Sequence, residues 1–397
     1  MGGLIVEKIV IASGVRTPIG TYGGSLKDFP AHKLGEKVIK EAVNRASIAP
    51  EDVDEVIMGN VLQAGQGMNP SRQASLGAGI PKETPALTIN KVCGSGLKAL
   101  ILGAQAIKDG DSEVVVVGGM ENMSQAPYYL SKARFGYGMG HGKVEDAMIK
   151  DGLWCSITDQ HMGNTAEAIA EHYNITREEQ DEFSVDSQNK AEKAISEGWF
   201  QEEILPIEIP QKKKDPIIFD TDEHPKPGTT LDKLAKMKPA FQKEGTVTAA
   251  NASGINDGAA AMVITTESKA KELGLEPLGV LDGYASAGCE PEHMGIGPVP
   301  ATRKVLDKTG LSVDDLDLIE ANEAFAVQSV AVMKELGLDE ERVNIGGGAV
   351  SLGHPIGASG ARILITLLYH MKRTDKKRGL ATLCVGGGMG VSTIVSR

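Results

Sequence analysis

An α/β fold made of two similar halves, the first interrupted by a long insertion, is predicted by three observations in the 397-residue sequence. Short β-branched runs alternate with stretches of helical apolar spacing. Landmarks of the first third recur in order near the C-terminus. Two landmarks that are adjacent in the second copy stand about 140 residues apart in the first.

The elements follow in chain order. Ile9 to Ala12 reads as a strand. Leu34, Val38, Ala42 and Val43 sit at helical spacing after Pro30. Val56 to Met58 is a short apolar run, and residues 97–107 (LKALILGAQAI) read as a buried helix. Val114 to Val117 is a continuous β-branched run closed by Gly118-Gly119, suited to a strand covered by helices on both faces. Asp52-Val53-Asp54 precedes one strand and Asp315-Leu316-Asp317 another. Ser95-Gly96 opens a helix, and so does Ser359-Gly360. Gly118-Gly119-Met120 matches Gly387-Gly388-Met389 at a slightly longer offset, which makes Val115 the counterpart of Cys384. Val391 to Val395 follows Met389 at once, whereas the comparable strand of the first copy, Ala261 to Thr265, comes much later. Residues 125–249 are therefore an excursion from the first half. It carries a glycine-rich segment (RFGYGMGHGK), a helical stretch at Thr165 to Glu171, and Lys212, Lys213, Lys214, Lys233, Lys236 and Lys238. These lysines form either a solvated face or a place for phosphates.

Composition narrows the function classes. The length suggests two or three domains. A content of 41% hydrophobic and 24% charged residues is that of an ordinary globular protein. Glycine is abundant, 48 residues, about 12% against a usual ~7%, so many close backbone approaches are expected. A net charge of −12 and few aromatic residues argue against a nucleic-acid surface. Cys93, Cys155, Cys289 and Cys384 form no C-x-x-C pair and are too sparse for a disulfide scaffold. There is no apolar run of about 18 residues, no secretory leader pattern and no peroxisomal C-terminal address. A cytoplasmic, reducing location without membrane contact is expected.

Four residues stand out chemically. Cys93 lies in NKVCGSGLKAL, just before Gly94-Ser95-Gly96 open a helix. Unpaired N–H groups and the helix dipole there favour a thiolate. Such positions lower a thiol pKa from about 8.5 to roughly 3.5–7.5. Otherwise Cys93 is a small hydrophobe at a turn. His354, in SLGHPIGASG, holds in the second copy the place of Cys93 in the first. If the halves pack about a pseudo-twofold, both turns face one site, and histidine is the usual base for a thiol. Cys384 precedes Gly386-Gly387-Gly388. It is either core or a second acid/base, beside turn N–H groups able to hold an oxyanion. Asn322, in EANEAFA, either caps a turn or holds a water. Cys155 and Cys289 read as structural. No phosphate loop, nucleophile elbow or zinc spacing occurs.

Eight ordered segments then carry a resemblance: Val15-Arg16-Thr17-Pro18-Ile19-Gly20, NKVCGSGLKAL (90–100), GGMENMS (118–124), HMGNTAE (161–167), GTVTAANASGINDGAAA (245–261), EANEAFA (320–326), GGAVSLGHPIGASG (347–360) and LCVGGGMG (383–390). Over essentially its whole length the chain resembles the thiolases, and among them the biosynthetic acetyl-CoA acetyltransferase branch. The resemblance implies the thiolase fold: two duplicated βαβαβαββ-type halves in an α/β/α/β/α layering, with residues 1–124 and 250–276 as the first half, 125–249 as an inserted loop domain and 277–397 as the second half. It implies Cys93 as the acylated nucleophile, His354 as its base and Cys384 as the group that moves the α-proton. Asn322 would hold a water of one oxyanion hole, and the N–H groups of Cys93 and Gly386 would form the other. Coenzyme A would meet Leu153, His161, Lys226, Ala249, Ser253, Ala324 and Phe325. Met162 and Met294 would line a short acyl pocket. The substrates would be acetyl-CoA, acetoacetyl-CoA and coenzyme A, with no metal and no further cofactor. Residues 134–143 resemble the loop that builds thiolase homotetramers. Lys226 departs from the arginine of some members, which removes stacking and bidentate contact. Two alternatives remain: a degradative 3-ketoacyl-CoA thiolase of broader chain length, and a non-catalytic acyl-CoA-binding scaffold.

Overall fold

The computed structural model describes residues 7–397; residues 1–6, with which the expected first half opens, lie outside the described residues. Strand β1 (Ile9–Arg16) is buried throughout. Helix α1 (Ala31–Arg45) starts after Pro30 and buries Leu34, Val38, Ala42 and Val43 on one face, as their spacing predicts. Strand β2 (Glu55–Gly59), helix α2 (Pro70–Gly77) and strand β3 (Ala86–Ile89) follow. Helix α3 (Ser95–Asp109) ends at Gly110 in the left-handed conformation, and β4 (Val114–Asn122) is wholly buried. The chain then leaves the sheet. It forms α4 (Met162–Tyr173), α5 (Arg177–Ser196) and a hairpin of Ile207–Gln211 with Lys214–Phe219. It returns as β5 (Asn256–Thr266), β6 (Gly279–Gly288), α6 (Pro298–Thr309), β7 (Leu318–Ala321), α7 (Ala326–Leu336), α8 (Ser359–Thr374), β8 (Arg378–Val385) and β9 (Met389–Ser396). Among the described residues, no helix is long and apolar enough to cross a membrane.

The sheet states the duplication directly. Its order is β7-β8-β9-β6-β1-β5-β4-β2-β3, with Gly20–Thr21 added on β5. In the first half β2 runs parallel to β3 and β4, and β5 lies antiparallel to both β4 and β1. In the second, β7 runs parallel to β8, and β9 lies antiparallel to both β8 and β6. A single parallel bridge from Ile319 to Val343 marks the place of β3. A short antiparallel pairing of β1 with β6 joins the halves.

Register corrects one landmark. Glu55 stands beside Val115, and Leu318 beside Gly379. The Asp54 N–H bonds the Val114 carbonyl, and that of Asp317 bonds the carbonyl of Arg378. The near-constant offset of Ser95 to Ser359 therefore persists, and Cys384 is the counterpart of Met120 rather than of Val115. Gly118 and Gly119 do not close a strand; they lie inside β4. A Cβ on Gly119 would overlap the Gly357 carbonyl, and one on Gly118 the Ala260 carbonyl. Gly387 and Gly388, by contrast, form the β8–β9 turn with φ of +85° and +83°. The two glycine pairs look alike and serve different needs.

Helices α3 and α8 lie between the half-sheets in one apolar core. Alternate strand residues, Val115 and Val117 for example, face that core, while Val114 and Val116 face α1. Helices α6 and α7 cover the far side of the second half. The layering is thus α/β/α/β/α. The N-termini of α3 and α8 meet almost backbone to backbone. A Cβ on Gly96 would overlap the Ala361 nitrogen, and one on Gly360 would lie 2.6 Å from the Leu97 nitrogen. The excursion is tied back by Arg16, which is 1% exposed. Its Nε donates to Glu203 (2.5 Å), and its fork donates to Asp222 at 2.7 and 2.9 Å.

Two outcomes are expected. Gly96→Ala overpacks the α3–α8 contact and lowers the urea unfolding free energy by about 1–3 kcal/mol. His370 is buried with neither ring nitrogen partnered, and burial pushes its pKa down to about 3. The unfolded chain binds that proton near pH 6.5 and the native state does not. Stability from this group is therefore full above about pH 6.5 and falls as pH drops toward 3. Equilibrium unfolding across that range follows this slope in the native sequence and a shallower one in His370→Phe.

Candidate active site

Cys93 sits on the turn that opens α3. Ser95 secures that turn: its Oγ accepts from the Lys91 N–H (2.9 Å) and donates to the Val92 carbonyl (2.7 Å). Val92 is held at φ +47°, a left-handed conformation that β-branched residues rarely adopt. Cys93 is half-buried and packs against a cluster that includes Val61, Leu62 and Ile356, as does Leu153. The N–H groups of Gly386 and of Cys93 itself bond the sulfur, as a helix-opening turn should allow. Burial nevertheless outweighs them and pushes the thiol up to about 11, with the Glu121 charge acting the same way. The expectation of a depressed pKa is corrected: burial outweighs the nearby N–H groups, and Cys93 rests as a thiol.

His354 is 5% exposed. Its Nδ1 lies 2.6 Å from Ser359 Oγ, and that hydroxyl donates to the Pro355 carbonyl at 2.9 Å. With its only hydrogen spent, Ser359 accepts from His354, so the ring proton resides on Nδ1. Nε2 is left buried, an acceptor with no protein partner. Burial and the nearby Arg362 charge push the imidazole down to about 3, so it is neutral. Ser95 and Ser359 are repeat counterparts, and each ties down the turn before its own helix. That equivalence was the signal by which Ser359 could have been found from sequence.

Cys384 is fully buried near the end of β8, in one apolar cluster with Met294, Ala324 and Phe325, and with Met162 at its edge. Burial and the charges of Cys93 and Cys289 raise its pKa well above the ordinary thiol value. The two predicted catalytic thiols are therefore in electrostatic reach of each other. So is Cys289, which the sequence placed with structural cysteines; its sulfur points to the His293 and Met294 carbonyls. Asn322 is 1% exposed just after β7. Its N–H is held by the Thr382 carbonyl (3.0 Å), yet its amide oxygen and nitrogen have no protein partner. A buried amide of this kind suits a bound water.

The expected ligand-binding residues fall into two groups. Ser253 donates its N–H to the Ala324 carbonyl (3.0 Å), and Ala252 pairs with Phe325, so Ser253, Ala324 and Phe325 are contiguous. His161 caps α4 by accepting from the Gly163 N–H and stacks on Phe241 at 4.8 Å; Phe241 in turn meets Phe325 edge-on. Leu153 packs against the same apolar cluster as Cys93, and Met162 lies beside Gly386. Ala249 and Lys226 are exposed, and the Lys226 backbone N–H is held by Gln188. A cavity of about 500 Å³, lined by Val92, Trp154, Ile157, Met162, Gly386 and Gly387, opens beside the nucleophile turn.

Two helix N-termini meeting across a duplicated sheet, with a cysteine before one and a histidine before the other, define an acyl-transfer architecture. The chain belongs to the thiolase family: residues 9–268 match the thiolase N-terminal domain and residues 275–397 the thiolase C-terminal domain. It is 58% identical to the acetyl-CoA acetyltransferase of Pseudomonas aeruginosa, over 99% of this chain and all of that one. It is 53% identical to a probable acetyl-CoA acyltransferase of Staphylococcus epidermidis, over 99% of both. The crystal structure of the Bacillus anthracis acetyl-CoA acetyltransferase superposes with a TM-score of 0.96 at 48% identity, covering 98% of this chain and 99% of that one. Human mitochondrial 3-ketoacyl-CoA thiolase superposes equally well at 44% identity, covering 99% of both.

Ser359→Ala removes the oxygen that fixes the imidazole tautomer. The loss of one such bond is worth about 1.4 kcal/mol, or about tenfold in rate. Steady-state turnover is expected to fall by that factor while the unfolding midpoint moves little.

Proposed function

We propose that the protein is an acetyl-CoA C-acetyltransferase, joining two acetyl-CoA molecules reversibly into acetoacetyl-CoA and coenzyme A through an acetyl-Cys93 intermediate. The observation that carries this reading is a set of polar groups kept ready in a buried site. His354 Nε2 and the Asn322 amide have no partner among the described residues, and burial keeps the thiols of Cys93 and Cys384 neutral. As Cys93 Sγ attacks the thioester carbonyl, His354 Nε2 takes its proton and passes it to the departing coenzyme A sulfur. The N–H groups of Cys93 and Gly386 face the place where the tetrahedral oxyanion forms. In the second step Cys384 first yields its thiol proton to His354 Nε2. Its thiolate takes the α-proton of a second acetyl-CoA and passes it to the departing Cys93 sulfur as the carbon–carbon bond forms, and His354 then returns the proton to Cys384. His354 and an Asn322-held water stabilise the enolate oxygen. The chemistry needs no metal and no further cofactor.

Coenzyme A would lie along His161, Ser253, Ala324, Phe325, Leu153 and Ala249, with exposed Lys226 toward its phosphates and Met162 and Met294 at the acyl end. The division into residues 1–124 with 250–276, 125–249 and 277–397, a homotetramer built through the 134–143 segment, and a cytoplasmic location belong to the same reading. Tyr128, Leu130, Phe135 and Met139, all exposed, supply apolar surface in and beside that segment. The names of the most similar relatives favour the short-chain enzyme over the degradative one, and a scaffold has no need of the complete set Cys93, His354, Asn322 and Cys384.

The test is thiolysis, with coenzyme A supplied together with acetoacetyl-CoA or a long-chain 3-ketoacyl-CoA. Cleavage of the short substrate alone is expected. Cleavage of both moves the assignment to the degradative enzyme, and cleavage of neither by reduced, folded protein leaves the scaffold. Asn322→Ala is expected to lose about 10²–10³ in kcat, as for an oxyanion-hole donor.

A further inference from the structure

Glu121 lies wholly buried in β4, and all four lone-pair directions of its carboxylate accept a hydrogen bond. Oε1 accepts from Asn60 Nδ2 (2.8 Å) and the Leu62 N–H (3.1 Å). Oε2 accepts from the Val61 N–H (3.0 Å) and the Gly357 N–H (2.9 Å). Three of these donors belong to the segment leaving β2. The fourth lies between His354 and α8. Val61 and Leu62 on one side and Ile356 on the other belong to one of the apolar clusters that Cys93 packs against. One carboxylate thus clamps together the two walls of the nucleophile's surroundings, one from each half of the chain.

The repeat shows that the fold itself does not require this charge. In the register that makes Cys384 the counterpart of Met120, the counterpart of Glu121 is Val385, an ordinary buried apolar residue. The same strand position is therefore filled without a carboxylate in the half that carries no nucleophile turn. Burial pushes Glu121 up to about 7 against the pull of its backbone donors. A proton there would displace one of the four donors, so the clamp geometry holds the ionised form. The Glu121 charge acts on the Cys93 thiol in the same direction as burial, which is the larger effect.

We propose that Glu121 is the positioning residue of this site: it fixes the Asn60–Leu62 segment against the His354–Gly357 turn, and so sets the walls of the cluster against which Cys93 packs. The proposal rests on the acetyltransferase reading for its kinetic half alone; the setting of the Cys93 thiol is tested without turnover.

The experiment compares the full-length native chain with Glu121→Gln and Asn60→Ala. Folding is checked by circular dichroism. Two readouts are taken: kcat and KM for acetoacetyl-CoA thiolysis, and the rate of Cys93 alkylation by iodoacetamide at a single pH, read from the Cys93 peptide by mass spectrometry. In Glu121→Gln the alkylation rate is expected to rise as the walls beside the thiol loosen, and kcat to fall about tenfold or more, the worth of about one charged hydrogen bond, with KM changed less than about threefold. Asn60→Ala removes one of the four donors, so both readouts change in the same direction by less. A kcat within about twofold of native, or an unchanged alkylation rate, in folded Glu121→Gln overturns the positioning role. If Glu121→Gln does not fold, Asn60→Ala decides: a lowered kcat at native KM supports the clamp and a native kcat overturns it. Failure of the native chain to cleave acetoacetyl-CoA sinks the acetyltransferase reading, while the alkylation rate still judges the clamp.

Discussion

The meeting of α3 and α8 at their N-termini is the contact on which the rest of the molecule depends. Gly96 and Gly360 leave no room for a side chain, and Gly59 and Gly119 let the Gly357 turn press onto the sheet beside them. Close-packed interiors transmit such contacts rigidly. The turns that precede the two helices are therefore brought to one place, one bearing Cys93 and the other His354. The duplicated sheet fixes the direction of each helix, and the glycines fix how near the helices come. The proposed catalytic pair comes from opposite halves of the chain because of that geometry.

The electrostatics of the site are those of a dry chamber with its protons still on. Burial keeps the thiols of Cys93 and Cys384 protonated and the His354 imidazole neutral. In the proposed mechanism Cys93 is ionised during reaction rather than before it, and Ser359 fixes the His354 ring that would accept its proton. Elsewhere in the interior, Arg16 with Glu203 and Asp222 anchors the excursion, and Arg362 lies 3.6 Å from Glu320 in the second half. Burial pushes Glu320 up to about 8, which leaves it protonated at neutral pH. The interior thus carries less net charge than its residue list suggests.

Much of this was legible in the sequence, for identifiable reasons. The buried face of α1, the β-branched run of β4 and the long helix α3 follow from periodicity, because a helix or strand must bury its apolar positions wherever it lies. Cys93, His354, Asn322 and Cys384 were legible because each sits beside glycine or at the end of a strand. Where reading failed, like residues served unlike ends. The glycine pairs at 118 and 387 gave a false match, since glycine marks both a turn and a close approach. Glu121 was invisible as a clamp, because its four donors come from segments about 60 and 236 residues away.

By itself, the sequence determined the alternation of elements, the internal repeat, the place of the excursion and the chemical types present at each turn. These are local properties, set by side-chain period, backbone freedom and functional groups. Only the tertiary structure decided the register of the repeat, the protonation of the thiols, the tautomer of His354 and the role of Glu121. Each of these depends on which distant groups share a volume from which water is excluded. Desolvation and hydrogen bonding across the two halves are properties of that shared volume, and no single segment of the chain contains them.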